Sequence, residues 1–592
     1  MIDIVVKKSL VDLVQTIKAV GPILLSAIKS GQLFVPQCEL TDPDPDVLCE
    51  YDVRIPVSEG FSVTANIYRS RKAAKNGVKV PVVMCAHPYD NHLTPALKKT
   101  PFNAAPQQYR LIPQPSGKPA FSKITSWESP DPNFWVSSGY AVVNMNMPGY
   151  SNSEGPPSAF TEHQAKCYYE AIEWVAKQPW CTGKVGLNGV SFLAISQFHV
   201  AACQAYGGPP PSLCCISPWE GLTDPYRDIY AIGGLPEVGF PAFWWITEVK
   251  PVINGSQKDF VESEGDIPTD WGDKHPLYDD FWKSKAAKLE EITIPMLVCG
   301  SFSCHSLHTM GSFRAFIKAQ SKHKWIYTHR TGQWNSYYSP EVQTLTRNFM
   351  DCFLKGDESS GFLNTPSVRL EVRSSLDKIH EIRHENEWPI ARTNYTKLFL
   401  GQQQSLQLEP QEIETELSYS AKHGKTTFQY TFAEDTELSG YMKLCLWVEA
   451  RSKDAGEKQP EDMAFYVAVN KLDSENKPVH FYGCIGTTND MVTRGWGRAS
   501  LRELDPMEST DWNPVPSASR WQLLKKAEIV QINIALYPSS TFFMAGESIK
   551  LMIGSSEIIS TPPYIKNSSF NHGKHIIHYG GKYDSHLLVP KI

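Results

Sequence analysis

The sequence lacks several features that would assign it to a common protein class. Its 592 residues carry a formal net charge of −6 and no block of like charge, so nucleic acid and other polyanions are not expected partners. The thirteen cysteines are odd in number and form no Cys-x-x-Cys pair. This pattern favours reduced, buried thiols of a cytoplasmic protein over a disulfide framework.

Signals for membrane insertion and for bound cofactors are also missing. No apolar run reaches the roughly 18 residues that a membrane-spanning helix needs. Leu10–Ile28 instead has apolar residues at helical spacing, which predicts a leading helix docked on the protein rather than on a membrane surface. The glycines of Gly183–Gly189 lack the Lys-Ser/Thr ending of a phosphate-binding loop, and no residue set has zinc-ligand spacing. Neither a cofactor nor a metal is predicted.

The most informative stretch that is present is Gly189-Val190-Ser191-Phe192-Leu193-Ala194. A short strand, Lys184–Asn188, is predicted before it and a helix is predicted to begin near Phe192. A serine on such a tight strand-to-helix turn is raised above the sheet, and the N–H of the next residue faces the same space. The motif predicts Ser191 as a nucleophile toward a carbonyl and the Phe192 N–H as half of an oxyanion hole.

The chain divides into three parts by its hydrophobic pattern. Residues 1–50 form a lead-in, and strands alternate with helices over 51–355, which predicts a doubly wound α/β domain. The predicted strands are Pro81–Ala86, Tyr140–Asn144, Lys184–Asn188, Leu213–Ser217, Pro295–Ser301 and Lys324–Tyr327, and the predicted helices are Glu162–Lys177, Phe192–Ala205, His308–Ala319 and Pro340–Leu354. Insertions at about 93–135 and 222–287 are predicted lids, whose aromatic residues either line a substrate pocket or pack the lid onto the body. After residue 363 to the end, alternating runs separated by polar turns predict an all-β sandwich.

An ordered set of motifs resembles the cocaine esterase/X-Pro dipeptidyl-peptidase family of serine hydrolases, also called CocE/NonD. The stretches that carry the resemblance are His87-Pro88-Tyr89-Asp90, Pro148-Gly149, Gln178-Pro179-Trp180, Pro218-Trp219-Glu220-Gly221, Tyr226-Arg227-Asp228, Gly233-Gly234, Gly440-Tyr441-Met442 and Gly495-Trp496 with Arg498-Ala499-Ser500. The resemblance implies an α/β-hydrolase body with a helical cap and a C-terminal jelly-roll domain. It also implies Ser191 as nucleophile and Tyr89 as a second oxyanion donor, unless Tyr89 only fills the edge of the core.

The two partners of the nucleophile are missing from their family positions. Cys304 stands where the resemblance implies an aspartate, and Ser336 stands where it implies a histidine. A serine without an imidazole is a weak nucleophile, and the loss of triad members typically removes several powers of ten in rate. Two histidines nevertheless follow the same predicted strand, at the sheet edge where α/β enzymes assemble their sites. We predict His308 as the substitute base, with His305 as the alternative, although either ring could instead cap a helix or pack a lid.

Three functions remain open from the sequence. The favoured one is hydrolysis or acyl transfer at Ser191 on a small, largely apolar ester, amide or thioester, with a place in specialised metabolism. The second is a non-hydrolytic cyclisation, condensation or isomerisation that uses a polarised carbonyl without a full triad. The third is a binding protein without activity, because a fold alone does not confer a function. The retention of Ser191 and Tyr89 argues against the third, and the loss of the usual acid and base supports the second.

Overall fold

The computed structural model describes residues 37–97, 112–255, 257–267, 270–454, 456–559, 561 and 563–592, with isolated positions at 109 and between 17 and 35. Most of the predicted leading helix and part of the first predicted lid therefore lie outside the described residues. Among the helices of the described residues, none is long and apolar enough to cross a membrane.

The first half of the chain is organised around a mainly parallel sheet, as the alternating pattern predicts. Its strands and two short accessory pairs are β1 Glu39–Thr41, β2 Val47–Pro56, β3 Ser62–Ser70, β4 Val80–His87, β5 Ala120–Ser122, β6 Ala141–Asn146, β7 Cys181–Val190, β8 Leu213–Trp219, β9 Ala231–Ile232, β10 Leu235–Pro236, β11 Met296–Ser301, β12 Lys324–His329, β13 Val368–Arg373 and β14 Ile379–Glu385. Across the sheet the order is β2-β3-β6-β4-β7-β8-β11-β12-β13-β14. The strands from β6 to β13 are parallel, and most of their residues are buried because both faces of the sheet are covered.

The helices that follow the sheet strands agree with the hydrophobic pattern of the sequence. All α-helices of the described residues are α1 Arg71–Lys75, α2 Pro132–Ser137, α3 Glu162–Ala176, α4 Phe192–Ala201, α5 Phe240–Trp244, α6 Gln257–Glu264, α7 Asp270–Lys274, α8 Asp280–Lys285, α9 Thr309–Lys318, α10 Gln333–Tyr337 and α11 Pro340–Met350. The four predicted crossover helices correspond to α3, α4, α9 and α11. The pattern overestimates the length of α11 because the apolar spacing continues into a π-helical turn, Asp351–Lys355, which ends at the left-handed Gly356.

The segment predicted as the second lid contains α5 to α8, and its aromatic residues serve both of the purposes considered for them. Trp244, Phe240 and Phe243 line the cavity that contains Ser191. Trp271 and Trp282 are fully buried instead and pack edge-to-face, with ring centroids 5.7 Å apart. The lid aromatics therefore divide between the wall of the cavity and the packing of the lid.

The remaining strands form two sheets that pack on a common core. They are β15 Asn394–Leu400, β16 Leu406–Gln407, β17 Thr415–Ser420, β18 Lys425–Thr431, β19 Thr436–Arg451, β20 Ala464–Leu472, β21 Pro478–Val479, β22 Thr493–Arg498, β23 Val530–Phe543, β24 Ser548–Gly554, β25 Lys574–Tyr579 and β26 His586–Lys591. One sheet is built on the long antiparallel pair β19 and β23, and the other is β18-β24-β20 with β21 and β22 beside β20. Apolar residues of both sheets, such as Leu444 and Phe465, share one buried cluster.

The β-rich part is joined to the α/β body by strand pairing and by a buried arginine. β13 pairs with β12 of the body and meets β23 at one residue, Arg373 opposite Thr541. The Arg373 guanidinium is fully buried, donates to the Phe302 carbonyl in the body, and donates to the Val492 carbonyl and the Ser539 hydroxyl in the β-rich part. Since Phe302 lies just before Cys304, the β-rich part holds the loop that follows β11.

Candidate active site

Ser191 occupies a strained turn between β7 and α4, as the motif predicts. Its backbone has φ 59° and ψ −118°, a region that non-glycine residues rarely adopt outside functional sites. The Ser191 N–H donates to the Trp219 carbonyl at 3.1 Å, which anchors the turn to β8. Gly189 is required because it has φ 152° and a Cβ there would lie 2.5 Å from the Leu193 Cβ. The turn projects Ser191 above the carboxyl end of the sheet.

The imidazole of His308 lies against the nucleophile. Its Nε2 is 3.2 Å from the Ser191 Oγ, at the long end of the range expected for a general base. His308 is the residue just before α9, and its N–H and that of Thr309 both reach the Cys304 carbonyl at 3.3 Å. The backbone turn from Cys304 to Thr309 thus presents the imidazole to Ser191.

The other nitrogen of His308 faces a thiol where a triad would have a carboxylate. The Cys304 Sγ is 3.3 Å from His308 Nδ1 and 3.4 Å from the Cys484 Sγ. Burial raises the pKa of the Cys304 thiol well above its ordinary value, and the neighbouring Cys484 raises it further. Burial also lowers the pKa of His308 to about 3. Both groups are therefore neutral near pH 7, and the imidazole has its free base form.

A carboxylate that the sequence analysis did not assign to the site lies close to this pair. A carboxylate oxygen of Glu220, the Cys304 Sγ and a ring nitrogen of His308 all lie within 4.8 Å of one another. Glu220 Oε1 also accepts a 2.7 Å hydrogen bond from His329 Nε2, and both side chains are buried. A signal was present in the sequence, because Glu220 lies three residues after the predicted strand Leu213–Ser217, in the motif Pro218-Trp219-Glu220-Gly221, and directly follows β8 at the sheet edge where Ser191 lies.

Two trios of side chains around Glu220 have the residue types of a metal site. Glu220 joins Cys304 and His308 in one trio, and Cys299 and His329 in the other. Each trio offers three ligand atoms, one short of a structural zinc site. In both trios the histidine is already paired, His308 with Cys304 and Ser191, and His329 with Glu220. We interpret the two trios as a buried hydrogen-bond network around the base.

Tyr89 and Phe192 are placed to stabilise an oxyanion above Ser191. The buried Tyr89 follows β4, and its hydroxyl oxygen accepts a 3.1 Å hydrogen bond from Trp244 Nε1. Burial raises the pKa of Tyr89 well above its ordinary value, so the hydroxyl keeps its proton and can donate it. Phe192 is the first residue of α4, where a backbone N–H has no acceptor within the helix. Both donors are therefore available to a bound carbonyl.

Three other histidines, His305, His87 and His92, and Ser336 at the family position of the base make different contacts. Within the described residues neither ring nitrogen of His305 has a hydrogen-bond partner, and its ring contacts Tyr537 at 5.2 Å between centroids. His87 Nδ1 accepts from the Tyr89 N–H at 3.1 Å and so supports the oxyanion loop, whereas His92 pairs with Asp52. Ser336 lies within α10, and the cavity is lined instead by Gln333 and Trp334 of the same helix.

Ser191 borders two cavities of different character. One has a volume of about 70 Å³ and includes the polar side chains of Glu128, Glu220, Gln333 and Tyr482, the last from the β-rich part. The other has a volume of about 30 Å³ and is lined mainly by apolar side chains: Phe160 before α3, Phe192 and Ile195 of α4, and Leu222, Ile229 and Trp244 of the lid. The arrangement fits a substrate whose carbonyl lies at Ser191 with an apolar group on one side of it.

Two carboxyl groups besides Glu220 line the larger cavity, those of Glu128, which is buried, and of Glu248. Glu128 Oε1 accepts from Trp334 Nε1 at 2.8 Å and from Gln333 Nε2 at 3.3 Å. Burial raises the pKa of Glu128 well above its ordinary value, and Glu248 and Glu220 raise it further. Sequence reasoning missed Glu128 because it lies in an irregular insertion, where no periodicity predicts which side chains face the site.

Two family models match most of the chain. A family model for X-Pro dipeptidyl-peptidase (S15 family) matches residues 59–336, and one for the X-Pro dipeptidyl-peptidase C-terminal non-catalytic domain matches residues 360–588. Cocaine esterase from Rhodococcus sp. (strain MB1 Bresler) is 22% identical over 91% of this chain and 98% of its own length.

Solved structures of other proteins are also similar to this chain over most of its length. A CocE/NonD family hydrolase from Staphylococcus aureus is 34% identical, with a TM-score of 0.81 over 92% of this chain and 94% of its own. An α-amino acid ester hydrolase at 16% identity, with a TM-score of 0.65 over 92% of this chain and 97% of its own, shares the fold. The predicted α/β-hydrolase fold, with a mostly β C-terminal domain, is confirmed. The chain belongs to the CocE/NonD family of serine hydrolases in the α/β-hydrolase superfamily.

Proposed function

We propose that the protein hydrolyses a small ester, amide or thioester through an acyl-enzyme on Ser191, with His308 as general base. The observation that carries the proposal is the 3.2 Å separation of Ser191 Oγ and His308 Nε2 at a formed nucleophile elbow. An imidazole from the loop after β11 takes the place of the one that the family has after β12. The serine–histidine pair is thus formed by a different loop at the same edge of the sheet.

The chemical steps follow from these contacts. The neutral His308 ring takes the Ser191 proton at Nε2 while Oγ attacks the substrate carbonyl. The resulting oxyanion is stabilised by the Tyr89 hydroxyl and the Phe192 N–H. The imidazolium then returns its proton to the leaving group, and water attacks the acyl-enzyme by the reverse sequence.

The two residues behind His308 are proposed as positioning residues. Cys304 fixes the ring through Nδ1, and the Glu220 carboxylate, within 4.8 Å of the same ring, stabilises the imidazolium by its charge. The Glu220 charge acts on the His308 ring from farther away than the aspartate of an Asp-His pair does, because Glu220 Oε1 is hydrogen-bonded to His329 at 2.7 Å. We therefore expect a slower enzyme than one with an intact triad.

The cavities indicate the substrate class. An acyl group of a few carbon atoms fits the apolar cavity of about 30 Å³ beside Phe192 and Ile195. The leaving group then faces the larger, more polar cavity that contains Glu128 and Tyr482. A small, largely apolar acyl ester is the substrate class that the proposal assigns.

A second function is favoured by one specific observation, the low basicity of the histidine. Burial lowers the pKa of His308 to about 3, and the neutral Cys304 thiol beside it lacks the charge of an aspartate. A non-hydrolytic enzyme that only polarises a carbonyl, for cyclisation or isomerisation, needs the oxyanion donors and no strong base.

Labelling with a fluorophosphonate probe distinguishes the two functions, because only an activated serine reacts. We expect slow, saturable labelling of wild type that is abolished in Ser191→Ala and reduced at least about 100-fold in His308→Ala, as for the loss of a general base. His305→Ala is the matched control, since this ring lies in the same loop but contacts Tyr537 rather than Ser191. No labelling of folded wild type would exclude the hydrolase and leave the second function.

A further inference from the structure

A second cavity, separate from the one at Ser191, lies between the α/β body and the β-rich domain. Its volume is about 80 Å³, and none of its lining residues borders either cavity at Ser191. Several motifs that carried the family resemblance meet here, among them Tyr226-Arg227, Gly233-Gly234 and Trp496 with Arg498. The catalytic site does not account for these residues.

The cavity is lined by four arginines and, within the described part of the chain, by no aspartate or glutamate. The arginines are Arg227, Arg314, Arg498 and Arg502. Three of them bond a carboxylate that lies outside the cavity lining: Arg227 bonds Asp224 at 2.8 Å, Arg314 bonds Asp228 at 2.9 Å, and Arg498 bonds Asp462 at 2.7 Å. The carboxylates thus hold the guanidinium groups in place from behind.

These ion pairs leave some guanidinium N–H groups available to a ligand. Arg314 bonds its partners through Nη1 and Arg498 bonds its partner through Nε, so in the described structure the Nη2 of each makes no hydrogen bond. Arg502 donates through Nη1 to the Ala499 and Gln522 carbonyls, and its nearest carboxylate, on Glu528, is 4.0 Å away. These three side chains keep 21%, 14% and 19% exposure respectively. A guanidinium has five donors in a planar fork, and each of these three retains donors that make no hydrogen bond in the described structure. The Arg498 guanidinium is held over the rings of Trp521 and Phe570, 4.4 Å and 4.0 Å from their centroids.

We propose that this cavity binds a small oxyanion, a carboxylate or a phosphate. Both anions accept paired hydrogen bonds from the planar guanidinium fork, and such charge-assisted bonds are the strong ones. The lining also includes apolar side chains such as Met310, Leu501 and Ile532, which would contact a small apolar group attached to a carboxylate. Met310 and Arg314 belong to α9, the helix that begins directly after His308, so the bound anion contacts the helix that follows the proposed base.

Isothermal titration calorimetry on the full-length protein tests the site directly and does not depend on activity. Sodium phosphate and sodium benzoate are titrated separately, with sodium chloride at matched ionic strength as the reference. The variant is Arg502→Gln, because Arg502 is the one of the four without a carboxylate at hydrogen-bond distance. Arg520→Gln is the matched control: it removes the same charge nearby, but Arg520 is 67% exposed, pairs with Glu503 and does not line the cavity.

We expect saturable binding of at least one anion to wild type and to Arg520→Gln, and about tenfold or greater weakening in Arg502→Gln, the loss typical of one charge-assisted hydrogen bond. Binding of phosphate alone identifies phosphate ligands, and binding of benzoate alone identifies carboxylates. If Arg502→Gln does not fold, Arg502→Lys replaces it and should weaken binding in the same direction, since it lacks the fork. Absence of saturable binding for both anions, or equal affinity in Arg502→Gln and wild type, would overturn the proposal.

Discussion

Replacing Cys304 with aspartate should strengthen the base, and the structure predicts by how much. The new carboxylate would lie near the present position of Sγ, 3.3 Å from His308 Nδ1. With an effective dielectric constant of about 20, its attraction to the imidazolium is about 5 kcal/mol. The same carboxylate would meet Glu220, whose oxygen lies within 4.8 Å, and that repulsion is about 3.5 kcal/mol.

The repulsion from Glu220 favours the protonated form of the new carboxyl group in the resting enzyme, and ionising that group offsets part of the attraction, so the net gain is at most about 1.5 kcal/mol. A difference of about 1.5 kcal/mol corresponds to a rise of about one unit in the pKa of His308. Because the imidazolium forms in the transition state, the same energy should accelerate acylation about tenfold. In the double variant with Glu220→Gln, the loss of this repulsion is offset by the loss of the Glu220 charge that stabilises the imidazolium, because both groups lie within 4.8 Å of the Glu220 oxygen, so the double variant should be about as fast as the single variant.

The assay is the rate of fluorophosphonate labelling, together with hydrolysis of p-nitrophenyl acetate as a function of pH. Cys304→Ser is the control, because it changes the side chain without adding charge and should not accelerate either reaction. Thermal unfolding of each variant establishes that the fold is retained. A folded Cys304→Asp variant that is no faster than wild type would refute the assignment of His308 as a base limited by its missing acid.

Three further outcomes are expected. Tyr89→Phe should still fold, at a cost of about 1–3 kcal/mol because the Trp244 N–H loses its acceptor, and should lose about 10²–10³-fold in turnover, as for the removal of one oxyanion donor. Tyr150→Phe is the control, because its hydroxyl donates to the Ser158 carbonyl and it lines neither cavity at Ser191; equal losses of turnover in both variants would remove Tyr89 from the oxyanion hole. The rate of fluorophosphonate labelling of wild type should not change from pH 8 to pH 5, because burial lowers the pKa of His308 to about 3 and the ring stays neutral throughout this range. A decline of the rate centred near pH 6.5 would instead show a solvent-exposed base. Ser336→His should not speed labelling of Ser191 and should destabilise the protein by about 1–3 kcal/mol, because position 336 is buried in α10 and does not line the cavity. Faster labelling would show that a histidine at the position usual in the family still reaches Ser191.

The same low pKa of His308 affects stability as well as rate. A histidine whose pKa is lowered on folding stabilises the folded state fully above its unfolded pKa of about 6.5. That contribution is lost as the pH falls from about 6.5 toward 3. His308→Gln should therefore flatten the acid side of the stability profile, measured by urea unfolding between pH 7 and pH 4.

The sequence by itself determined the fold and the nucleophile. The alternation of apolar strands with helices at a 3.6-residue period marked β4, β6, β7, β8, β11 and β12, because strands of a parallel sheet are buried on both faces and contain little else but apolar residues. The turn at Ser191 is also determined by neighbouring residues, since the steric requirement at Gly189 and the start of α4 involve only residues next to it in the sequence.

Only the tertiary structure decided what surrounds the nucleophile. Glu220 follows β8 and Cys304 follows β11, strands that are neighbours in the sheet but about eighty residues apart in the chain, and Cys484 comes from the other domain. Glu128 reaches the larger cavity from an irregular insertion without periodicity. Side chains that converge from such distant segments leave no spacing in the sequence, because their proximity depends on the order of strands in the sheet and on how the domains pack.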